Sequence, residues 1–275
     1  MNYFEKKVKK TINLFNLINK KDKIAVAVSG GKDSLSTLFV LNKLGYNIQA
    51  LFIDLGIKGN SDENLKRIKI FCKEKNIKLN VFDLKKETGL SLPTICKKIS
   101  SKNNYTNCAI CGIIKRYYLN KAAKELKVDK IATGHNLDDE FENIMLNIFS
   151  NNFEISLNLG PKSKEGLKKD FVQRIKPLYL CENYESEKYA KKNNLNIYPE
   201  ICPLRVNAFR KQIRDFAKKI ISIKKDAKLN LVINFNKKII KFKKNHNDFK
   251  IKKCIKCNEP SRHELCKKCE LFNLL

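Results

Sequence analysis

The chain has 275 residues, enough for one large domain or two modest ones around a buried core. Hydrophobic residues make up 43% and charged residues 31%, which excludes a disordered chain, and no apolar run reaches the ~18–20 residues of a membrane helix. Lys and Arg number 57 against 28 Asp and Glu, a formal charge of +29 that points to a polyanionic partner.

The basic N-terminus lacks the compact apolar block of a secretory signal, so a cytoplasmic protein without membrane association is expected. Phe4, Val8, Ile12 and Phe15 recur at helical spacing over residues 3–20. Their apolar face leaves a homodimer open. Ile24-Ala-Val-Ala-Val28 then reads as a buried strand entering the Gly-rich turn Ser29-Gly30-Gly31. A helix follows and stops at Gly45. Residues 47–56 read as a second strand, 61–76 as a helix with Ser61 as its N-cap, and 77–84 as a third strand. Residues 109–126 read as a helix, 128–135 as a fourth strand and 136–149 as another helix. Strands without in–out alternation, interleaved with helices, predict an α/β fold with a parallel sheet covered on both faces.

Residues 150–173 have no clear periodicity and read as a loop. A helix is expected over 182–194, then an irregular Pro-punctuated turn at 198–207. Basic helical stretches are expected over 206–222 and 226–244. From Arg205 to Lys253 there are 17 Lys/Arg against three acids, Asp215, Asp226 and Asp248. That charge suits a nucleic-acid backbone. Phe209, Phe216, Phe235 and Phe242 in the same stretch read as core and not as base-stacking platforms. The expected division is an N-terminal helix (1–20), a catalytic α/β domain (21–205), a basic helical segment (206–250) and a Cys-rich module (251–275).

Ser29-Gly30-Gly31-Lys32-Asp33-Ser34 sits where a strand meets a helix. Backbone amides there, with the helix dipole behind them, suit an anion. The string does not fit the kinase-type pattern, because Val26 stands where its first Gly would fall and Asp33 follows Lys32. It resembles instead the pyrophosphate loop of the PP-loop ATP-pyrophosphatases, which cleave ATP between the α- and β-phosphates and adenylate a substrate.

The ten cysteines are not spread as a disulfide framework. Cys108-Ala-Ile-Cys111 opens a helix, where a thiol pKa is expected to fall. Taken alone, this pair is ambiguous among a redox pair, half a zinc site and iron–sulfur ligation. Cys72, Cys96 and Cys181 show no partner pattern and read as core. Cys254-x₂-Cys257-x₈-Cys266-x₂-Cys269 has the spacing of a closed four-thiolate Zn²⁺ site, which would supply the stability that a stretch this short lacks. His263, between the two pairs, reads as a surface residue.

Several further strings accompany the loop. They are Lys115-Arg116-Tyr117-Tyr118-Leu119-Asn120, Thr133-Gly134-His135-Asn136-Leu137-Asp138-Asp139-Glu140, Arg174-Ile-Lys-Pro-Leu178 and Glu200-Ile-Cys202-Pro203. Together they resemble the tRNA 2-thiouridine synthetases of the TtuA type, within the TtcA/TtuA family, over nearly the whole chain. The resemblance implies a tRNA sulfurtransferase that adenylates uridine O2 with ATP and replaces it with sulfur, with a T-loop 5-methyluridine as the target. It implies a [4Fe–4S] cluster on Cys108, Cys111 and Cys202. ATP and Mg²⁺ would be held by Ala27, Ser29, Gly30, Gly31, Lys32, Asp33, Ser34, Ile53, Lys115 and Gly134. Lys115 and Asp139 would be catalytic. The sulfur donor would be free sulfide or a ubiquitin-like thiocarboxylated carrier.

The chemistry agrees with that set. Oxide leaves C2 of uridine poorly; an adenylate leaves well. An ATP loop, a sulfur carrier and a basic RNA surface are what such an exchange needs. The pattern departs from the family in having no Cys before Cys72, where another zinc finger normally stands, which bears on the tRNA target. Three competitors remain: wobble-uridine or anticodon-loop cytidine thiolation, a cluster-free persulfide pair at Cys108 and Cys202, and a zinc-finger RNA-binding protein with a relic ATP loop.

Overall fold

The computed structural model describes residues 1–163, 171–198, 202–204, 208–245 and 251–275. Part of the loop expected over 150–173, much of the turn at 198–207 including Glu200, the first residues of the basic stretch 206–222 and the expected boundaries at 205 and 250 lie outside them.

The elements are α1 (Tyr3–Leu14), β1 (Ile24–Val28), α2 (Lys32–Lys43), β2 (Ile48–Asp54), α3 (Ser61–Glu74), β3 (Leu79–Asp83), α4 (Leu84–Thr88), α5 (Leu92–Ser100), α6 (Asn107–Glu125), β4 (Lys130–Ala132), α7 (Leu137–Phe149), α8 (Phe153–Ser156), β5 (Gln173–Ile175), α9 (Asn183–Lys192), α10 (Ala208–Ile223), α11 (Ala227–Asn245), β6 (Lys252–Lys253), β7 (Pro260–Ser261) and α12 (Lys267–Phe272). The main sheet has the order β3-β2-β1-β4-β5, with every neighbouring pair parallel. Strands are added in one direction from β1 to β3, and then on the other side of β1. The carboxyl ends of β1 and β4 therefore flank the switch point where such sheets bind ligands.

Both faces are covered, which is why the strands read as continuous apolar runs. On one face Val26 and Val28 meet Leu35, Leu38 and Leu41 of α2, with Phe4, Val8 and Ile12 of α1 beyond. On the other, Ala25, Leu51 and Ile131 meet Ile95 and Ile99 of α5 and Ile110, Ile114 and Tyr118 of α6. The α1 face that left a homodimer open is thus buried within the chain, where Phe4 stacks on Tyr189 of α9 at 4.4 Å.

Several boundaries differ from expectation. α1 ends at Leu14 and not at residue 20, because Asn16 turns into the left-handed region at φ 48° and the Leu17 amide donates back to Ile12. Asn60, not Ser61, precedes α3, and the Ser61 hydroxyl accepts from the Ile57 amide instead. The stretch 150–173 read as a loop contains the short helix α8 and meets β5 at its last residue, and α4 and α5 fill a stretch with no expected element.

The basic helices α10 and α11 pack on α7 through Ala217 and Val232 against Leu137, Phe141 and Ile144. Phe235 joins this cluster, but Phe209, Phe216 and Phe242 are exposed, against the reading of all four as core. Phe209 and Phe242 rest edge-on against the exposed Phe149 and Phe153. Helical spacing fixes which side chains share a face; it does not say how far the neighbouring element extends over that face. Among the described residues no helix is long and apolar enough to cross a membrane.

Candidate functional site

The loop from Ser29 to Ser34 closes on itself. The Ser34 hydroxyl donates to the Gly31 carbonyl at 2.8 Å and accepts from the Ser29 amide at 3.2 Å. α2 begins at Lys32 with no side chain capping it, so its first amides are left for a ligand. Gly30 has φ +84°, and a β-carbon there would lie 1.7 Å from Asn64 Oδ1 of α3. Only glycine admits both that backbone and that neighbour. Gly134, after β4, would bring a β-carbon within 2.8 Å of the Asp33 carbonyl carbon and the Ser34 amide nitrogen. Its lack of a side chain lets the β4–α7 loop lie on the glycine-rich loop.

Lys32 Nζ donates to both carboxylate oxygens of Asp33 at 2.9 Å, and to Asn183 Oδ1 of α9. Asp33 also accepts from Ser186 Oγ of α9 and from Asn136 Nδ2 at 3.2 Å. Asn136 is the N-cap of α7 in a capping box with Asp139, whose carboxylate accepts from the Asn136 amide at 3.1 Å. Burial, opposed by that amide and reinforced by the charges of Asp33 and Glu142, pushes the Asp139 carboxyl up to about 6. Asp139 and Asp33 thus face the same space. Asp138, in the first turn of α7, accepts from Lys228 of α11 at 2.6 Å and from the Asn183 amide at 2.7 Å. Lys228 also donates to Glu182 at 3.0 Å.

Ile53 is buried in the α5/α6 core, while Ala27 is half-buried at its margin and Ser29 is exposed. Asn64, Asn136, Asn183 and Ser186 were missed from sequence. Asn136 had the helix-opening pattern that could have revealed it. The others come from α3 and α9, and no local signal places them beside the loop.

The second group lies on α6, which runs back towards the start of β4, so its first turn stands at the same carboxyl edge of the sheet as the glycine-rich loop. Thr106 caps it by accepting from the Ala109 amide. Cys108 is exposed, and Cys111 and Cys202 are half-buried. Cys111 interacts electrostatically with both Cys202 and Cys108, and all three act on buried Cys96, which burial and these three push up to about 11. Cys96 therefore borders this group. The expected fall in thiol pKa does not hold at Cys111. Burial raises it, with Lys115 and Arg116 pulling the other way. A helix dipole falls off within one turn, and here desolvation prevails. Lys115 is half-buried and acts on Cys111.

The third group is the Cys-rich tail. The sulfurs of Cys254, Cys257, Cys266 and Cys269 all lie within 4.8 Å of one another, a set that can hold a metal ion. Cys257 and Cys266 are 3.7 Å apart, close to the ~3.8 Å edge of a tetrahedron with metal–sulfur bonds of ~2.3 Å. Burial opposes ionisation of Cys254, but the amides of Cys266, Cys257 and Lys256 bring its thiol down to about 6. His263 is exposed. The tail is docked on α6. Asn120 and Lys124 donate to Glu259 at 3.3 and 2.9 Å, Lys268 lies 5.1 Å over the Tyr117 ring, and Leu271 enters the α5/α6 core.

Comparison with known proteins agrees with this geometry. Residues 2–219 match the family described as PP-loop domain. The chain is similar to the tRNA-5-methyluridine(54) 2-sulfurtransferases of Pyrococcus horikoshii and Thermotoga maritima. Identity to the first is 36%, covering 99% of this chain and 85% of that protein. Identity to the second is 34%, covering 98% and 86%. Among solved structures it is similar to the U34-tRNA thiolase NcsA from Methanococcus maripaludis with its [4Fe-4S] cluster. That match has a TM-score of 0.83 and 28% identity, covering 99% of this chain and 87% of the other.

Proposed function

Because this chain belongs to the PP-loop domain family, we propose that it is a cytoplasmic enzyme that adenylates O2 of a tRNA uridine with ATP and exchanges that oxygen for sulfur. One observation carries the reading. The glycine-rich loop and the Cys108/Cys111/Cys202 group stand at the same carboxyl edge of one parallel sheet, flanking its switch point.

In this reading the α2 amides, Lys32 and the hydroxyls of Ser29 and Ser34 bind the pyrophosphate of ATP. An incoming phosphate competes with Asp33 for Lys32. Asp33 and Asp139, left facing each other, are the carboxylates suited to Mg²⁺. Ile53 and Ala27 border the adenine, and Gly134 keeps the β4–α7 loop close to the phosphates. Uridine O2 attacks the α-phosphorus and pyrophosphate leaves with both electrons of the broken P–O bond. Lys115 stabilises the charge that builds there. A sulfur nucleophile then adds at C2, and AMP departs with the former O2.

Cys108, Cys111 and Cys202 suit a cubane cluster in number and kind, Cys111 interacting with both of the others beside apolar core and two cations. A [4Fe–4S] group held by three thiolates would supply one iron with an open position for hydrosulfide. The sulfur donor in this reading is sulfide or a ubiquitin-like thiocarboxylated carrier. Cys254, Cys257, Cys266 and Cys269 suit structural Zn²⁺, which braces α6 from behind. Residues 21–205 then form the catalytic unit, 206–250 the RNA-facing basic segment and 251–275 the metal module.

The target we favour is a T-loop 5-methyluridine, the nucleotide in the names of the two sulfurtransferases above. Likeness to a U34-tRNA thiolase supports the wobble uridine as a second reading. Mass mapping of tRNA thiolated by the anaerobically reconstituted protein decides between them. ATP-dependent thiouridine at neither position rejects the proposal.

A further inference from the structure

Between the cysteine group and the basic helices lies a set of cations, of which only Arg116, beside Cys111, has entered the account so far. Burial, reinforced by the charges of Lys176, Arg174, Arg210 and Arg116, brings the pKa of His135 in the β4–α7 loop down to about 4. Its Nδ1 lies 2.9 Å from the Thr133 hydroxyl. Two of the four cations are neutralised. Lys176 is paired with Glu140, and Arg210 with Glu142 and Asn143. Arg116 and Arg174 are not; neither side chain has a hydrogen bond or ion pair among the described residues.

The backbone holds these two arginines together at a cost. Arg174 pairs in register with Ile131, so its side chain leaves the sheet on the α6 face. Arg116 folds back along α6 over Gly112, where a β-carbon would lie 3.1 Å from its Nη1. Glycine at 112, directly after Cys111, thus makes room for the guanidinium. Each arginine is desolvated, and Arg116 repels Arg174. Arg116 and His135 nevertheless keep exposed surface, and Arg174 is half-buried. The two guanidiniums are therefore partly desolvated yet remain open to a ligand arriving from solvent. Two like charges side by side, with no carboxylate paired to either among the described residues, suit an anionic ligand.

We propose that Arg116 and Arg174 clamp a backbone phosphodiester of the RNA next to the target nucleotide, a deepening that rests on the tRNA-thiolation reading above. A planar guanidinium fork matches the two free oxygens of a phosphodiester and not a spherical hydrosulfide. The nucleotide phosphates of ATP have their own loop at β1. β5 lies two strands away, about 10 Å at the usual strand spacing. Arg210 on α10, the start of the basic helices, acts on the same His135 as the two arginines. The clamp would hold the strand while its uridine reaches between the glycine-rich loop and the cysteines.

The test uses the anaerobically reconstituted full chain and tRNA binding measured over a range of salt without ATP. Arg116→Gln and Arg174→Gln should each weaken tRNA binding on the order of tenfold and lower the salt slope by about one. The KM for ATP should stay at the wild-type value in both, and iron content should stay at the wild-type value in Arg174→Gln, whose side chain is not among the charges acting on Cys111. A second measurement needs no variant. An RNA hairpin carrying a neutral methylphosphonate beside the target uridine, on one side or the other, should bind wild-type protein more weakly and with a lower slope. Unchanged affinity and slope for both methylphosphonate hairpins overturn the clamp, even if the glutamine variants lose their fold. Unchanged tRNA binding by well-folded glutamine variants, with slower turnover of sulfide, overturns it in favour of a sulfur-anion site. A wild-type protein that makes no thiouridine rejects the thiolation reading itself, whereas one that thiolates tRNA and ignores these phosphates rejects only the clamp.

Discussion

Gly134 and Asp33 are pressed together backbone to backbone: a β-carbon on Gly134 would stand 2.8 Å from the Asp33 carbonyl carbon. The loop after β4 and the loop after β1 are therefore one rigid unit at the switch point. Gly134→Ala forces them apart. The obstacle is backbone and not a yielding side chain, so the cost should be about 1–3 kcal/mol of stability. ATP-dependent pyrophosphate release should fall at least tenfold at sub-saturating ATP. A normal rate with normal thermal stability would show that the loops tolerate separation.

Ser186 lies 153 residues from Asp33 in sequence, yet its hydroxyl donates to the Asp33 carboxylate. With Asn183 and Asn136 it fixes the position of Asp33 and Lys32 before nucleotide arrives. Ser186→Ala should raise the KM for ATP several-fold and leave iron content unchanged. Lys32→Ala removes the loop's own cation and should lower adenylation by on the order of a hundredfold. Steady-state pyrophosphate release measures both.

Asp139 should make stability depend on pH in an unusual direction. Its folded carboxyl titrates near 6, above the ordinary aspartate value of about 3.9. The folded state therefore holds the proton more tightly than the unfolded state. Stability is greatest below the unfolded value and is lost as pH rises from about 4 to about 6. Asp139→Asn should abolish this loss and gain on the order of 2 kcal/mol over wild type above pH 6 in nucleotide-free protein. Adenylation by the variant should collapse at every pH. Urea melts of the two proteins at pH 4 and pH 7 measure the difference; equal gaps at both would refute the assignment.

The tail braces the helix that carries Cys108 and Cys111, so its metal matters beyond the tail. Chelation, or Cys269→Ser, should expose residues 251–275 to protease. It should also lower the melting temperature of the whole α/β unit, because Leu271 leaves the α5/α6 core, at roughly 1.5–3 kcal/mol for a buried leucine. Tail cleavage with an unchanged melting temperature would show that the module is only appended.

Much of the fold was legible because buried parallel strands and amphipathic helices write different periods into the chain. β1 to β4 and their helices follow from that alternation. β5 was not legible: Gln173-Arg-Ile175 is three residues long and two of them are polar. α5 was unread although Ser91, which caps it, and Pro93 in its first turn are ordinary start signals. In the site, the contiguous strings were readable and the cross-chain contacts were not. Lys228 is one of many lysines in the sequence. Only the packing of α11 on α7 makes it the buried partner of Asp138 and Glu182. Likewise Arg116 and Arg174 become a pair only because β5 takes its place beside β4.

The most direct test is a single reaction. Protein purified and reconstituted without oxygen is mixed with tRNA, sulfide and ATP. Thiouridine is then mapped by mass, alongside the AMP and pyrophosphate released. The account predicts a chain with about four irons that forms thiouridine only with ATP, one AMP and one pyrophosphate per sulfur, and none of it in Cys202→Ala. Thiouridine made equally well by iron-free protein, or none made by the four-iron protein, would contradict it.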